Sequence, residues 1–550
     1  MTELLVVGVV AAVVIAAAAV FGPRLGIAAP LVLVVVGIVA SLVPWVPHFP
    51  IEPNWILEGI LPPLLYSSAV SMPAMNFRRE FGAISGMSVL LVVGTALVLG
   101  VFFMLVIPDL GFAWGVALGA IISPTDAVAT SIIKSRSVSR RVVAILDGES
   151  LLNDATALVL LKTAIAAAAA SFSFWGALGT FAYSVVVAVV IGAVVGYFGL
   201  FVRKRITQPT VNTVLSFTVP FIASVPVEIL GGSGLVAAVV AGIITGIRAP
   251  RVLSPQSRLS DSQNWGTVEL LLEGVVFLTM GLQLSTIIGN VRADHTGIGT
   301  AAIVAVVALL ITLAVRAVYV VVLLAVLRWR RRTGERRQPQ LERMSKAKDD
   351  PETQRRVLEQ FQRHGRTFTP RQIAQFSARI TRTLADVDYF LKEPLGWREG
   401  TVVVWAGMRG AVTVAAAQTL PEGPFRSLLV LVAFGVAALS LIAQGGTIGW
   451  LLTAIGPHAD SPAEVATVGE DDERSRLRAL LRAASETVPV PPEGRRNLEY
   501  ALARVAAERI VLLDARDDGT FDADLLAAEL QSLDAMQITL ELRAVTTSGD

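Results

Sequence analysis

Long apolar runs constrain this chain more than any other feature of its sequence. The hydrocarbon core of a bilayer is about 30 Å thick, so a crossing helix needs about 20 predominantly apolar residues. Windows of that size fall at 4–22, 26–47, 54–72, 87–107, 112–133, 142–169, 174–202, 211–229, 233–248, 264–285, 298–327, 400–420 and 426–453, about thirteen in all. The ninth is short and the sixth carries several ionisable groups. The chain therefore reads as an all-α membrane protein.

Composition agrees: hydrophobic residues make up 54% and charged ones 16%, against roughly 25% charged in soluble domains. With no cysteine, disulfides, thiolate metal sites and thiol nucleophiles are excluded. The four histidines, His48, His295, His364 and His458, are too scattered for a cluster. Met1-Thr2-Glu3-Leu4 enters an apolar run without a positive segment or cleavage site, so a retained first span is expected.

The loops give orientation. Arg24, then Arg78 and Arg79, then Lys134, Arg136, Arg140 and Arg141, then Arg203, Lys204 and Arg205, then Arg248, Arg251 and Arg258 fall in alternate loops. The intervening loops hold only Arg292 and Arg426. Cytoplasmic loops are the positive ones, which puts the N-terminus outside and the C-terminus in the cytoplasm.

Four regions are expected: spans one to eleven over 1–327, a basic cytoplasmic insertion over 328–398, spans twelve and thirteen over 399–455, and an acidic helical tail over 456–550. The insertion opens on Arg328-Trp329-Arg330-Arg331-Arg332, and its 328–336 cluster suits the headgroups of anionic lipid. It continues with helix-compatible sequence such as Gln354 to Arg363. Beyond Pro457 the chain holds 19 acidic and 10 basic residues, 19 − 10 = 9 net negative. There, helical segments at Glu473 to Ser485, Arg495 to Arg516 and Asp522 to Glu541 are broken at Val488-Pro489-Val490-Pro491-Pro492. Asp514-Ala515-Arg516-Asp517-Asp518-Gly519 starts like a calcium loop, but Arg516 takes a ligand position and Leu525 stands where the bidentate glutamate belongs. Nucleic-acid binding has no support beyond the arginine run, and no soluble regulator of the tail is identified.

A charge at mid-bilayer costs several kcal/mol, so each one inside a span is a functional candidate. Span five contains Ser123-Pro124-Thr125-Asp126-Ala127, span six Asp147-Gly148-Glu149-Ser150-Leu151-Leu152-Asn153-Asp154, and span twelve Gly407-Met408-Arg409-Gly410. In span six Ser150 and Asp154, like Glu149 and Asn153, are four apart and share one broad helix face. Carboxylate, amide and hydroxyl on adjacent turns are hard oxygen ligands, suited to a small monovalent cation or a proton rather than an organic substrate. Pro124 removes a backbone hydrogen bond within span five, and Gly407 and Gly410 flank Arg409 in span twelve. Two interrupted helices in corresponding halves are the sequence pointer to a midplane site in inverted-repeat transporters.

These residues resemble the NhaP- and NHE-type monovalent cation/proton antiporters, the electroneutral branch of their superfamily. The resemblance rests on Ser123 to Val128, Gly148 to Asp154 and Gly407 to Ala411, with weaker matches at Leu61-Pro62-Pro63-Leu64-Leu65 and at Glu273 followed by Met280-Gly281. It covers neither the insertion nor the tail. It implies an inverted-repeat fold and a homodimer in the cell membrane. Asp154 would be the carboxylate shared by cation and proton, and Asn153 precedes it where electrogenic relatives carry an aspartate. Ser150, Thr125 and Asp126 would help form the cation site, and Glu149 and Arg409 would be a structural ion pair. The transported ions would be Na+, Li+ or K+ against H+, with no cofactor and no enzymatic step, in the service of sodium and pH homeostasis. One departure stands out: many prokaryotic relatives place an acidic residue shortly after the Leu-Pro-Pro motif, where this chain has Tyr66-Ser67-Ser68.

The remaining charges read more plainly. Glu228 and Glu273 are candidates for a funnel, or pair with a neighbouring helix. Glu58, Glu269 and Arg316 read as structural, and Lys162 as a side chain snorkelling outward. Gly192, Gly196 and Gly199 form a small-residue face suited to helix packing.

Exchange follows if proton and cation compete for one carboxylate. When only loaded forms cross, one proton moves against one cation by alternating access and no net charge is carried. Asn153 fits that arithmetic because it does not titrate. The rivals are a cation channel, which predicts current, a sensor signalling through the tail, and an intramembrane aspartyl protease built on Asp126 and Asp154. The protease Gly-x-Gly-Asp pattern is absent.

Overall fold

The computed structural model describes residues 2–25, 27–44, 52–134, 138–169, 174–293, 297–349, 370–456, 463–491 and 498–547. All four histidines, Arg136, Arg495, Pro492 and the segment Gln354 to Arg363 lie outside them. Among the described residues every regular element is helical. The chain forms two compact units, one of Met1–Val321 with Trp397–Pro457 and one of Val322–Gly396 with His458–Asp550.

Among the described residues of the first unit the apolar windows are mostly helical. Among the described residues eight helices are long and apolar enough to cross a bilayer: Ala74–Val106, Arg140–Ala168, Leu178–Arg203, Pro209–Ile229, Gly234–Val252, Pro255–Ala293, Ile298–Arg336 and Arg426–Ile455. Leu5–Phe21, Ala29–Ser41 and Phe112–Ile122 are shorter apolar helices. Exposed side chains such as Leu105, Trp175, Phe198, Val318 and Trp450 stud these helices, as lipid-facing surfaces require.

Several helices outrun their apolar windows. The helix starting at Ala74 precedes its window at 87, and Ile298–Asp349 continues well past 327. Hydropathy registers only the part that lipid must cover, whereas the backbone keeps its hydrogen bonds into polar surroundings. Two windows hold broken helices instead. Phe112–Ile122 gives way at Ser123 and helix resumes at Val128–Lys134; Trp397–Trp405 ends before Gly407 and helix resumes at Ala411–Gln418.

Packing follows small residues. An added Cβ on Gly192 would strike the Ala237 backbone and one on Gly196 would crowd Ala241, so these two glycines seat the Phe174–Arg203 helix on the Gly234–Val252 helix. Tyr66, Ala188, Val219, Ala223, Ala237 and Trp265 form one buried cluster. Leu61, Leu65, Leu151, Ala155, Leu235 and Val239 form another, which seats the Arg140–Ala169 helix against its neighbours.

The second unit contains three tail helices, Ala463–Glu486, Leu498–Asp518 and Ala523–Thr547. Leu477, Leu481, Val505, Leu512, Leu526 and Leu533 make their shared core. Arg509 bonds Asp534 at 2.9 Å across two of them. The insertion helix Pro370–Lys392 meets this bundle, where Arg382 pairs with Asp518 at 3.3 Å. Asp514 to Asp518 form the last turn of a helix rather than a calcium loop.

Candidate functional site where two broken helices meet

The two interruptions meet. The Asp126 amide donates to the Met408 carbonyl at 2.7 Å, joining one irregular segment to the other. Proline at 124 explains the first break, because it offers no amide and crowds the turn before it. The second break holds two glycines at close approaches. A Cβ on Gly407 would strike the Arg316 guanidinium, and one on Gly410 would overlap the Asp126 carboxylate.

Broken helices leave carbonyls exposed at one end and amides at the other, with partial charges of opposite sign. Arg409, 2% exposed, answers the carbonyl ends: its Nε donates to Ile122 O at 3.0 Å, its Nη2 to Ser123 O at 3.4 Å, and its Nη1 to Gly407 O. Its amide donates to Ser440 Oγ at 2.9 Å. Asp126 answers an amide end, accepting at Oδ1 from Val128 N at 3.0 Å.

The Arg140–Ala169 helix lays its polar face along this crossing. Asn153, 1% exposed, donates through Nδ2 to Thr125 Oγ1 at 2.8 Å and to Thr125 O at 3.1 Å. Its Oδ1 is buried without a partner. Thr125 Oγ1 in turn donates to Glu149 Oε1 at 3.1 Å. Ser150 gives its hydroxyl proton to Asp147 O at 3.1 Å, which leaves its lone pairs available.

The expected ion pair of Glu149 with Arg409 is not the one formed. Arg316 takes Glu149, donating through Nη2 to Oε2 at 2.8 Å and through Nη1 to Oε1, while its Nε donates to Val403 O at 2.9 Å. Glu149 is 2% exposed and Arg316 1%. The reason is geometric: a planar guanidinium meets a carboxylate two-pronged, and Arg409 has already committed its donors to the helix-end carbonyls. The signal available in the sequence was Arg316 itself, a charge in an apolar span that needs a buried partner.

A cavity of about 90 Å³ lies at the crossing, lined among others by Thr125, Asp126, Ser150, Asp154, Glu273 and Gly410. Asp154 makes no hydrogen bond or ion pair among the described residues. The site therefore gathers Asp154, Asp126, Thr125 and Ser150 around one space with Glu273 at its wall, and Asn153 and Glu149 braced behind Thr125. Every donor atom is oxygen, which suits a hard monovalent cation or a proton.

The other charges fall elsewhere. Glu228 pairs with Lys162 at 2.7 Å, away from the crossing, so Lys162 does not simply snorkel. Glu269 accepts from Ser67 Oγ at 3.4 Å, bringing a carboxylate to the position after the Leu-Pro-Pro motif from a different helix. Nothing in the sequence pointed to the buried pair of Arg141 with Glu80 at 2.6 Å or to the part-buried pair of Arg203 with Asp261. Their glutamate and aspartate lie in polar stretches outside the apolar windows, where nothing singled them out.

Comparison with known proteins gives the family of the chain. The chain is 27% identical over 541 residues to an uncharacterized Na(+)/H(+) exchanger of Mycobacterium tuberculosis (strain ATCC 25618 / H37Rv), covering 94% of this chain and 87% of that one. It is 25% identical over 481 residues to the low-affinity Na(+)/H(+) antiporter NhaS1 of Synechocystis, covering 86% and 77%. Its fold is similar to that of the sodium proton antiporter MjNhaP1 from Methanocaldococcus jannaschii, with a TM-score of 0.55 at 15% identity over 83% of this chain and 100% of that one. Residues 9–339 match the transmembrane sodium/hydrogen exchanger family, and with the broken-helix crossing and its polar helix face inside that span or beside it, the chain belongs to this family.

Proposed function

We propose that this protein is a secondary active antiporter that exchanges a monovalent cation, sodium foremost with lithium and potassium as alternatives, for a proton. The observation that carries the reading is Asp154: a carboxylate with no partner among the described residues, on the wall of a cavity where two broken helices cross and to which Thr125, Asp126 and Ser150 add oxygens. Neutralisation favours a half-buried carboxylate that has no ion-pair partner, and a proton and a cation are two ways to supply it. They exclude each other. Ser150, Thr125 and Asp126 supply further oxygens for the cation, and the unpartnered Oδ1 of Asn153 is one more acceptor close by.

The proposed stoichiometry is one proton per cation. Asp154 is taken as the carboxyl that loads and unloads, since Asn153 does not titrate, Asp126 accepts from the Val128 amide, Glu149 is paired with Arg316, and Glu273 stands at the cavity wall. One proton against one cation is electroneutral. The membrane unit is a thirteen-span inverted-repeat core with spans five and twelve interrupted, N-terminus outside, in the cell membrane, working by alternating access as a homodimer. Glu228 and Glu273 lie along the funnels. The 328–336 cluster contacts anionic lipid, and the 328–398 insertion and 456–550 tail form the cytoplasmic part.

The test uses proteoliposomes with a pH-sensitive dye inside, an imposed proton gradient, and sodium, potassium or lithium added in turn with and without a voltage clamp. Dequenching by one cation, unchanged by the clamp, is the expected result. Cation-driven current without proton counterflow would mean a channel, and silence from folded, inserted protein would favour a sensor.

A further inference from the structure

A second cavity, of about 480 Å³, opens in the membrane unit and is lined among others by Asn54, Glu58, Leu158, Lys162, Glu228 and Ser233. Lys162 Nζ donates to Glu228 Oε2 at 2.7 Å, and the other Glu228 oxygen accepts from Gly234 N at 2.9 Å. Glu228 is thus pinned at the start of the Gly234–Val252 helix and holds the ammonium from there. Glu58 has no partner among the described residues.

Its position relates it to the crossing. Leu158 and Lys162 follow Asp154 by one and two helical turns on the same face of the Arg140–Ala169 helix. Asp154 lines the first cavity and these two line the second, so both open along one stripe of one helix. The helix begins at Arg140 in a basic loop, and the second cavity therefore lies toward the opposite side of the membrane.

The Lys162 and Glu228 pair is also unlike the buried braces around Glu149. Lys162 is 66% exposed and Glu228 33%, both on the cavity wall, so a cation that enters the cavity competes for the contact. With the lysine in place the two carboxylates and one ammonium leave a single net negative charge in the cavity; without it there would be two.

We propose that this cavity is the mouth through which the cation reaches Asp154 from the side opposite the basic loops, and that the Lys162 ammonium is a tethered competitor there. An arriving monovalent cation has to take its place on Glu228. Lys162 then sets the apparent cation affinity at that face alone, a positioning residue rather than part of the Asp154 site. The inference rests on the antiport reading and adds a sidedness that the reading does not contain.

The experiment compares right-side-out and inside-out membrane vesicles, measuring the half-saturating sodium concentration for sodium-dependent proton movement at each face. In Lys162→Gln and Lys162→Met it is expected to fall about threefold at the face opposite the basic loops and to stay at the wild-type value at the other, in keeping with the modest strength of an exposed pair. Lys162→Arg should restore the wild-type value, and Glu228→Gln should raise it at the same face. An unchanged value in both lysine variants, or an equal change at both faces, overturns the proposal while leaving antiport intact. Wild-type vesicles without sodium-dependent proton movement at either face would remove the antiport reading and this inference with it.

Discussion

At Glu149 a difference of one partner changes what the motif residues do. Arg316 neutralises Glu149, and Arg409 is spent on the carbonyls of Ile122, Ser123 and Gly407. Removing one member of a buried ion pair leaves the other uncompensated, at about 3–5 kcal/mol. We therefore expect Glu149→Gln and Arg316→Met each to lower the melting temperature of purified protein strongly, and the double variant to lose much less than the sum. Glu149→Gln with Arg409→Met should instead show clearly weaker coupling than the pair with Arg316. Strong coupling to Arg409 and none to Arg316, read from the same melting curves, would contradict the pairing. The carboxylate-rich string from Glu149 to Asp154 was legible in the sequence because charges in an apolar helix stand out. Arg316 was not linked to it, since a lone arginine 167 residues away carries no spacing that names its partner.

Among the elements, the two breaks do most to shape the site, and each has a local cause. Pro124 withholds an amide, and Gly407 and Gly410 leave room for the Arg316 guanidinium and the Asp126 carboxylate. Gly410→Ala should push Asp126 out of the crossing and abolish cation-dependent proton movement in proteoliposomes, with a smaller loss of thermal stability than Glu149→Gln. Normal transport in Gly410→Ala would show that the close approach does not matter. Proline and glycine made these interruptions readable in advance. The helix ends were less so: nothing in hydropathy marks where Ala74 begins a helix or how far Ile298–Asp349 continues, because polar residues outside lipid are indifferent to being helical. Nor did hydropathy hint that Glu269 would meet Ser67, a contact between distant segments set by packing alone.

Across the whole molecule, a membrane unit with its own buried clusters carries the crossing, and a second unit gathers the insertion helix Pro370–Lys392 with the three tail helices. The tail's helical character was visible from its composition, but its pairing with the insertion was not, since Arg382 and Asp518 are surface charges among many. The central claim concerns one carboxylate in the first unit: proton and cation exclude each other on Asp154. Purified protein in weakly buffered detergent solution, titrated with sodium, potassium or lithium, reads this directly as protons released per cation bound. Release close to one proton per cation in the wild type, and none in Asp154→Asn of unchanged melting temperature, is the result expected. Cation binding without proton release, or undiminished release from Asp154→Asn, would contradict it.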